Sequence, residues 1–211
     1  MAKHPLYTST ILPTLQKPGT TLLDLGCGFA SDFRSLGSAG IPSSSLTALD
    51  NHDGFWNLGK EMFSDHDTMK ARFEVADMTN LSSIPVDMLG AFDVIWAGAS
   101  FHLFDWDGQV KAGVVACKLL RDRKGSAIFG YQVGRTEGKA VRASIVGKML
   151  FNHDAKTLEK IWEEVGEQAG MKFEVQSWMD DRGVNDLKWL DPEVRRQRFA
   201  VVRVDGPDGD D

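Results

Sequence analysis

The chain has 211 residues, a length typical of one domain with a substantial core, and 42% of the residues are hydrophobic while 26% are charged. This balance excludes a disordered chain and a fibrous repeat. Lys and Arg total 24 against 30 Asp and Glu, a net charge of −6, and no basic cluster could follow a phosphate backbone. Nucleic acid is therefore not expected as a partner.

The sequence contains no segment that predicts membrane insertion or export. No apolar run approaches the roughly 18 residues of a membrane-spanning helix, and the first residues lack the apolar stretch of a secretory signal. We therefore expect a cytoplasmic protein. The two cysteines, Cys27 and Cys117, are far apart and have no metal-binding spacing, which predicts free thiols and no metal site.

Short apolar runs rich in β-branched residues alternate with amphipathic stretches from Thr21 onward. This alternation predicts an α/β fold, with a Rossmann-like, mostly parallel sheet covered by helices on both faces. The seven predicted strands are Thr21–Leu25, Leu46–Leu49, Arg72–Ala76, Phe92–Ala97, Ser126–Tyr131, Lys172–Trp178 and Phe199–Val204.

Apolar residues at helical spacing predict four of the helices and the faces that they bury. The predicted core stripes are Phe29, Phe33 and Leu36; Phe55, Leu58 and Met62; Val110, Val114 and Cys117; and Leu158, Ile161, Trp162 and Val165. The last helix is expected to begin at the N-cap Asp154 and to end at Gly170. On such a stripe, Cys117 is expected to act as a small buried hydrophobe.

Two segments interrupt the alternation. Gln132–Leu150 contains three glycines and mixed polarity, which is typical either of a substrate-facing loop or of a disordered one. Asp205–Asp211 is an acidic tail whose composition predicts disorder, so the expected domain comprises residues 1–204.

The stretch Leu22–Ala30, LLDLGCGFA, is the most informative in the chain. An apolar strand ends in an acid, Asp24, and runs into a glycine-rich turn that opens a helix. Gly26 and Gly28 allow a tight turn and a close approach of the backbone to a ligand. Asp24 could fix the amides of the turn or attract a ligand ammonium group.

Two further acids close the next two predicted strands. Asp50 follows the glycines by about 20 residues, where an acid can accept hydrogen bonds from both hydroxyls of a ribose. Asp77 can accept one from the amine of an adenine, while Met78 packs on the ring. Each acid alone is more often a turn residue or a helix cap, but three successive strand ends at one sheet edge predict a nucleotide-type cofactor site.

The glycine turn also occurs in NAD-dependent dehydrogenases, but their third glycine is replaced here by Ser31. The pattern of Asp24, Gly26, Gly28, Asp50 and Asp77 instead resembles the class I S-adenosylmethionine-dependent methyltransferases. In that family the acid and glycines of the first strand hold the methionine end of the cofactor. Ala30 stands where many members have a third glycine.

The fourth predicted strand narrows the resemblance. The run SFHLFDW, Ser100–Trp106, followed by DGQV, looks like fungal secondary-metabolism methyltransferases, including the carboxyl O-methyltransferases of meroterpenoid pathways. Further matching stretches are His4–Tyr7, Asp32–Arg34, Gly130–Gly134 and Phe151–His153. The resemblance implies S-adenosylmethionine as the cofactor. It also implies a cofactor site formed by Tyr7, Asp24, Gly26, Cys27, Gly28, Asp32, Asp50, Asn51, Asp77, Met78, Ala97 and Ser100.

Members of that group carry a longer N-terminal extension that helps to cover cofactor and substrate, whereas about 20 residues precede the first predicted strand here. Residues 1–20 are expected to form a short lid, with Tyr7 over the cofactor unless this segment is frayed. A homodimer would compensate for a short lid.

The resemblance implies methyl transfer to an oxygen of a polyketide or terpenoid. A carboxylate acceptor is favoured because it is ionised at neutral pH and needs no general base, whereas a phenol would benefit from one. His102 and His153 are the candidate catalytic residues; alternatively, His102 bonds a backbone carbonyl and His153 belongs to the turn before a helix. Trp96, Phe101, Phe104 and Trp106 form either an apolar wall for the substrate or part of the core.

Two other functions fit the same fold. Some fungal relatives use it for cyclisation or pericyclic rearrangement without methylation. The third hypothesis is a binding or regulatory protein without catalysis, against which the three intact strand-end acids argue.

Overall fold

A computed structural model describes residues 1–143, 147–180 and 191–208. Within these ranges the strands are β1 (Leu22–Leu25), β2 (Leu46–Asp50), β3 (Arg72–Val75), β4 (Val94–Gly98), β5 (Ala127–Arg135), β6 (Lys139–Arg142), β7 (Met149–Asn152), β8 (Phe173–Asp180) and β9 (Val194–Arg203). The helices are α1 (Leu12–Leu15), α2 (Ser31–Ser38), α3 (Gly54–Phe63), α4 (Trp106–Leu119) and α5 (Ala155–Ala169).

Seven strands form one sheet in the order β3-β2-β1-β4-β5-β9-β8. The first five strands of the chain are parallel to their neighbours, and β9 is antiparallel to both β5 and β8. The carboxyl ends of β1 to β5 therefore meet at one edge, where the beginning of β9 also lies. The predicted α/β class and the seven-stranded, mostly parallel sheet are confirmed.

Helices cover both faces of this sheet. On one face, α4 and α5 pack against the core residues Leu23, Leu25 and Ile95. On the other, α2 and the N-terminal segment pack against Leu22 and Val94. All four residues of β1 are buried, because helices cover the strand from both sides.

Helix α5 follows its prediction closely. The Asp154 side chain accepts a hydrogen bond from the Thr157 amide, Thr157 completes a capping box, and Gly170 ends the helix at φ +71°. The predicted stripe of α5 is buried, as is Cys117 on α4, where burial raises the thiol pKa to about 12.

The stripe predicted for α3 is wrong. Phe55, Leu58 and Met62 are 52%, 51% and 61% exposed, whereas Trp56 and Gly59 are buried. A Cβ on Gly59 would lie 2.5 Å from the carbonyl oxygen of Phe29, so only glycine lets the helix pack this closely on that side. Phe29 itself, predicted to be core, is 40% exposed.

The segment Gln132–Leu150 is not one long loop over its described part. Its first residues continue β5, and β6 then pairs with β7 as an antiparallel hairpin. Residues 144–146 lie outside the described ranges. In the predicted acidic tail, Asp205 pairs with Arg203, and residues 209–211 are not described.

The N-terminal segment packs on the sheet. Its anchor is His4, which is buried among the rings of Trp96, Phe129 and Trp178 and hydrogen-bonds through Nε2 to the carbonyl of Phe199 at 3.0 Å. A π-helical turn, Tyr7–Ile11, follows. The function of residues 1–20 as a lid stays a prediction. No helix in the described part of the chain is both long and apolar enough to span a membrane.

Candidate active site

A cleft of about 390 Å³ opens at the carboxyl edge of the sheet, between β1, β2, β3 and β4. We call it the Asp50 cleft, and this volume is within the range of small-molecule sites. Its lining includes six of the predicted cofactor residues, namely Gly26, Asp50, Asn51, Asp77, Met78 and Ser100. The parallel topology therefore brings together the ends of four strands that are far apart in sequence.

The glycine turn forms the floor of this cleft. Gly26 has φ +80°, and a Cβ there would lie 2.8 Å from the Cβ of Ser100. Both the conformation and the contact therefore require glycine. Gly28 also has a positive φ, +50°, and a Cβ on it would meet nothing within 4 Å, so the space above the turn is open.

Ala30 adopts the conformation that glycine usually supplies. Its φ of +50° and ψ of +41° are left-handed, and it is the N-cap of α2. The alanine therefore keeps the backbone of the family motif at some cost in strain. Ala99, in the lining of the Asp50 cleft, has φ +60°.

Asp50 and Asp77 each accept hydrogen bonds through one carboxylate oxygen. Asp50 accepts a hydrogen bond from the Gly28 amide through Oδ2 at 2.9 Å, which ties the glycine turn to β2. Asp77 accepts from the amide and hydroxyl of Thr79 through Oδ1, each at 2.8 Å. In each acid the second oxygen has no donor among the described residues.

Asp24 lies beneath the glycine turn and is 4% exposed. Burial, and then the nearby charge of Asp32, raise the pKa of its carboxyl group well above the usual range. No described residue donates a hydrogen bond to it. A buried carboxylate without a donor is costly unless a cation comes close, and the ammonium group of a methionine-type ligand would provide that charge. The buried hydroxyl of Ser100 also has no hydrogen-bond partner within the described part of the chain.

A second cleft, of about 340 Å³, opens on the sheet face that carries α2 and the N-terminal segment. We call it the Tyr131 cleft. Residues from β4, β5 and β9 line it, including Trp96, Tyr131, Arg196 and Arg198, and Asp32 of α2 is also in the lining. The amide of Ala99, a residue of the Asp50 cleft, donates to the carbonyl of Tyr131 at 2.7 Å, so a hydrogen bond joins residues of the two clefts.

The other predicted cofactor residues lie around these clefts rather than in the Asp50 cleft. Asp32 forms an ion pair with the amino group of Met1. Cys27 is half-buried, and burial raises the pKa of its thiol far above the usual range. Tyr7 and Cys27 are partly buried and pack against the same core cluster, and Ala97 is fully buried in β4. Their contact with cofactor stays a prediction.

His102 follows β4 in a short 3₁₀ turn, Phe101–Leu103. Its neighbours Leu103 and Phe104 line the Asp50 cleft, and its Nδ1 atom is buried without a hydrogen-bond partner. Burial lowers the pKa of His102 to about 4. The imidazole is therefore neutral at pH 7, able to form a hydrogen bond but only a weak base.

His153 lies in the core instead of in either cleft. It is fully buried, its Nε2 is 3.2 Å from Gln109 Oε1, and its ring contacts Trp106 and Phe151. Burial lowers its pKa to about 4. These surroundings give His153 a structural role and offer no support for the predicted catalytic one.

Gln109, which was not predicted as a functional residue, holds part of the SFHLFDW segment in place. Its amide donates to the carbonyls of Phe104 and Phe151, at 3.1 and 2.7 Å, while its oxygen faces His153. Gln109 thus fixes the loop after β4 to β7. Of the four aromatic residues, Phe101 is core, Trp106 packs beside His153, and Phe104 and Trp96 reach the two clefts.

Comparison with known proteins identifies the family. The model of a methyltransferase domain matches residues 22–123, which contain the glycine turn and all three strand-end acids. The chain carries a class I methyltransferase domain. S-adenosylmethionine, the cofactor expected from the sequence, is the cofactor of this family, and the resemblance to fungal secondary-metabolism methyltransferases is confirmed.

Two fungal relatives are similar over most of this chain. The O-methyltransferase phiE of a fungal species is 39% identical over 174 residues, 82% of this chain and 57% of the relative. The O-methyltransferase atr3 of Stereocaulon alpinum is 36% identical over 200 residues, 94% of this chain and 58% of the relative. The chain thus spans somewhat more than half the length of these curated relatives.

A solved structure shows the same fold with a different printed activity. The crystal structure of the [4+2]-cyclase SpnF aligns with a TM-score of 0.65 and 16% identity, covering 96% of this chain and 81% of the cyclase. At this identity the similarity concerns the fold alone.

Proposed function

We propose that this protein transfers the methyl group of S-adenosylmethionine to an oxygen of a small fungal natural product, and that the favoured acceptor is a carboxylate. The observation that carries the proposal is the arrangement at the carboxyl edge. Asp24 is buried beneath the open glycine turn, and no residue of the described ranges donates to its carboxyl group. Asp50 and Asp77 line the Asp50 cleft, and each has one carboxylate oxygen that no described residue contacts as a donor.

Asp24, beneath the glycine turn, and the residues that line the Asp50 cleft fit the cofactor group by group. Asp24 would hold the ammonium group of the methionine end, and the free oxygen of Asp50 would accept from the ribose hydroxyls. Asp77 would accept from the adenine amine, with Met78 against the ring. When bound, S-adenosylmethionine supplies both the electrophilic methyl group and its leaving group, so the chain mainly has to align the acceptor.

The state of His102 favours a carboxylate over a phenol as acceptor. A phenol titrates near 10 and would need a base to take its proton, but the pKa of His102 is lowered to about 4. A carboxylate is already ionised at neutral pH. His102 would then contribute a hydrogen bond from its neutral ring rather than proton transfer.

The two fungal relatives with printed O-methyltransferase activity support transfer to oxygen. The second candidate function is a cyclisation or pericyclic step without methylation, and the fold shared with the cyclase SpnF supports it. A cytoplasmic location and a homodimer remain predictions.

Calorimetric titration with S-adenosylhomocysteine tests the cofactor site. We expect the wild type to bind it and not NAD, and Asp50→Ala to lose binding. Asp53→Ala is the matched control, since it removes an exposed carboxylate three residues away that is not in the lining of the cleft. Because Asp24 holds a proton more readily than usual, binding of an ammonium group should release that proton. Titrations in two buffers of different ionisation enthalpy measure the number of protons released on binding.

Failure of the wild type to bind would contradict the proposal. Product masses then separate the two candidate functions: methyl transfer adds the mass of one methylene group to a substrate from a fungal extract, and an isomerisation adds nothing.

A further inference from the structure

Arg196, on β9, is a cation without a described partner. It lines the Tyr131 cleft and is half-buried, and it forms no hydrogen bond or ion pair with any residue of the described ranges. The β5–β9 register places Arg196 opposite Val133 and Arg198 opposite Tyr131. Arg196 therefore points to the same face of the sheet as Tyr131.

The other arginines on this strand are engaged. Arg198 donates to Asp180 at 2.6 Å, Arg195 donates to the carbonyls of Pro192 and Val194, and Arg203 pairs with Asp122 and Asp205. A half-buried cation is costly without an acceptor, and no residue of the described ranges provides one for Arg196, so this side chain is available to an anion from outside the chain.

Tyr131 lies close to charges of both signs. Burial and the charges of Asp32 and Asp24 raise the pKa of Tyr131, whereas the charge of Arg196 lowers it. The two acids and Arg196 therefore all lie close enough to act on this phenol. The acids belong to the side where the methionine end of the cofactor is expected. Arg196 lines the same cleft as Tyr131 and Asp32, so an anion bound by Arg196 would lie in the cleft that also contains Asp32.

We propose that Arg196 binds the carboxylate of the methyl acceptor and is thus the residue that selects carboxylic acids over neutral analogues. The planar guanidinium matches a carboxylate with two parallel hydrogen bonds, an arrangement that a neutral amide or ester cannot reproduce. This inference rests on the proposed function. In the transfer, an acceptor oxygen forms a bond to the methyl carbon while the carbon–sulfur bond breaks. The charges of carboxylate and sulfonium cancel and no proton moves. The neutral ester loses its attraction to Arg196, which favours release.

The test measures binding of benzoic, cinnamic and farnesoic acids and of their primary amides, by calorimetry, with and without S-adenosylhomocysteine. We expect at least one acid to bind the wild type about tenfold to a hundredfold more tightly than its amide. Arg196→Met should abolish this preference, and Arg196→Lys should keep part of it. Arg195→Met is the matched control, with the same change in charge on the opposite face of β9.

Three outcomes would overturn the inference: equal binding of acids and amides, no acid binding at millimolar concentration, or a preference that survives in Arg196→Met. A fourth would reassign the residue, namely an Arg196→Met protein that loses affinity for S-adenosylhomocysteine, since Arg196 would then hold the carboxylate of the cofactor. Failure of the wild type to bind S-adenosylhomocysteine would count against the proposed function, while the titrations without it would still report on Arg196. Circular dichroism verifies that each variant is folded.

Discussion

Helices α3 and α5 have the same spacing of apolar residues, but they differ in how far these residues are buried. Helix α5 buries Leu158, Ile161 and Trp162 against α4 and β8, whereas α3 leaves the corresponding stripe about half exposed. The helical period indicates which side chains share a face. It does not indicate which face packs, and in α3 the close contact made possible by Gly59 decides this.

The contrast extends to the two faces of the sheet, which we call its two halves. The half that carries α4 and α5 contains buried polar contacts such as that of Gln109 with His153. The side of α2 and α3 contains the glycine turn, with its positive φ angles, and the exposed rings of Phe29 and Phe55. We infer that the first half mainly stabilises the fold and that the second mainly provides the cofactor site.

The largest expected effect is that of Trp162→Ala on α5. Trp162 is 4% exposed and contacts the rings of Phe101 and Phe173, so its truncation should lower the free energy of unfolding by about 3–5 kcal/mol. Urea denaturation followed by fluorescence measures this change. A loss below about 1 kcal/mol would show that α5 is not the anchor of this half.

The second-largest expected effect is the loss of stability in acid that the buried His153 causes. Burial lowers its pKa from 6.5 to about 4, so the unfolded chain binds a proton that the folded chain excludes between these values. The free energy of unfolding should therefore fall as the pH falls from about 6.5 to about 4, and His153→Gln should remove a part of that fall on the order of 1–3 kcal/mol.

Denaturation midpoints over this pH range measure the effect of His153→Gln. His4 and His102 contribute with the same sign, and the raised pKa of Asp24 has the opposite sign, so only the difference between wild type and variant isolates His153. His66→Gln, on the surface, is the control. If His153→Gln lost as much stability as the wild type between about pH 6.5 and pH 4, the conclusion that His153 is buried and neutral would be wrong.

In the other half of the sheet, Gly26→Ala should cost about 1–2 kcal/mol through its left-handed backbone. It should also abolish binding of S-adenosylhomocysteine, because the new methyl group would collide with Ser100. Gly19→Ala is a matched control: its φ is +79°, and a Cβ there would meet nothing within 4 Å. We expect it to lose similar stability and to keep binding. Equal affinity in the two variants would refute the role assigned to the turn.

The smallest expected effect is that of Leu58→Ser on α3. Because Leu58 is about half exposed, the substitution should change the free energy of unfolding by no more than about 0.5 kcal/mol. The equivalent change on α5, Leu158→Ser, should destabilise the protein by several times as much. Similar losses in the two variants would remove the contrast between these helices.

The local sequence predicts the parts of the site that belong to parallel strands. Asp24, Asp50 and Asp77 each close an apolar run, and parallel topology alone brings such ends together. The capping residues Asp154 and Gly170 likewise give direct signals for the bounds of α5.

Other parts depend on contacts that no local pattern encodes. Arg196 reaches the carboxyl edge because β9 runs antiparallel, so that its beginning lies beside the end of β5. The burial of His153 depends on Gln109, which is 44 positions away. For α3, the presence of Gly59 on the alternative stripe was the one available sign that Trp56, and not Leu58, would face the core.

The position of β9 also affects how the protein can be made. It lies inside the sheet between β5 and β8, although both of these strands precede it in the chain. Once the chain as far as Asp180 has emerged from the ribosome, β5 has an open edge and β8 has no partner in the sheet. Until β9 emerges, these unpaired edges are available for wrong pairing, so we expect completion of the sheet during synthesis to wait for this strand.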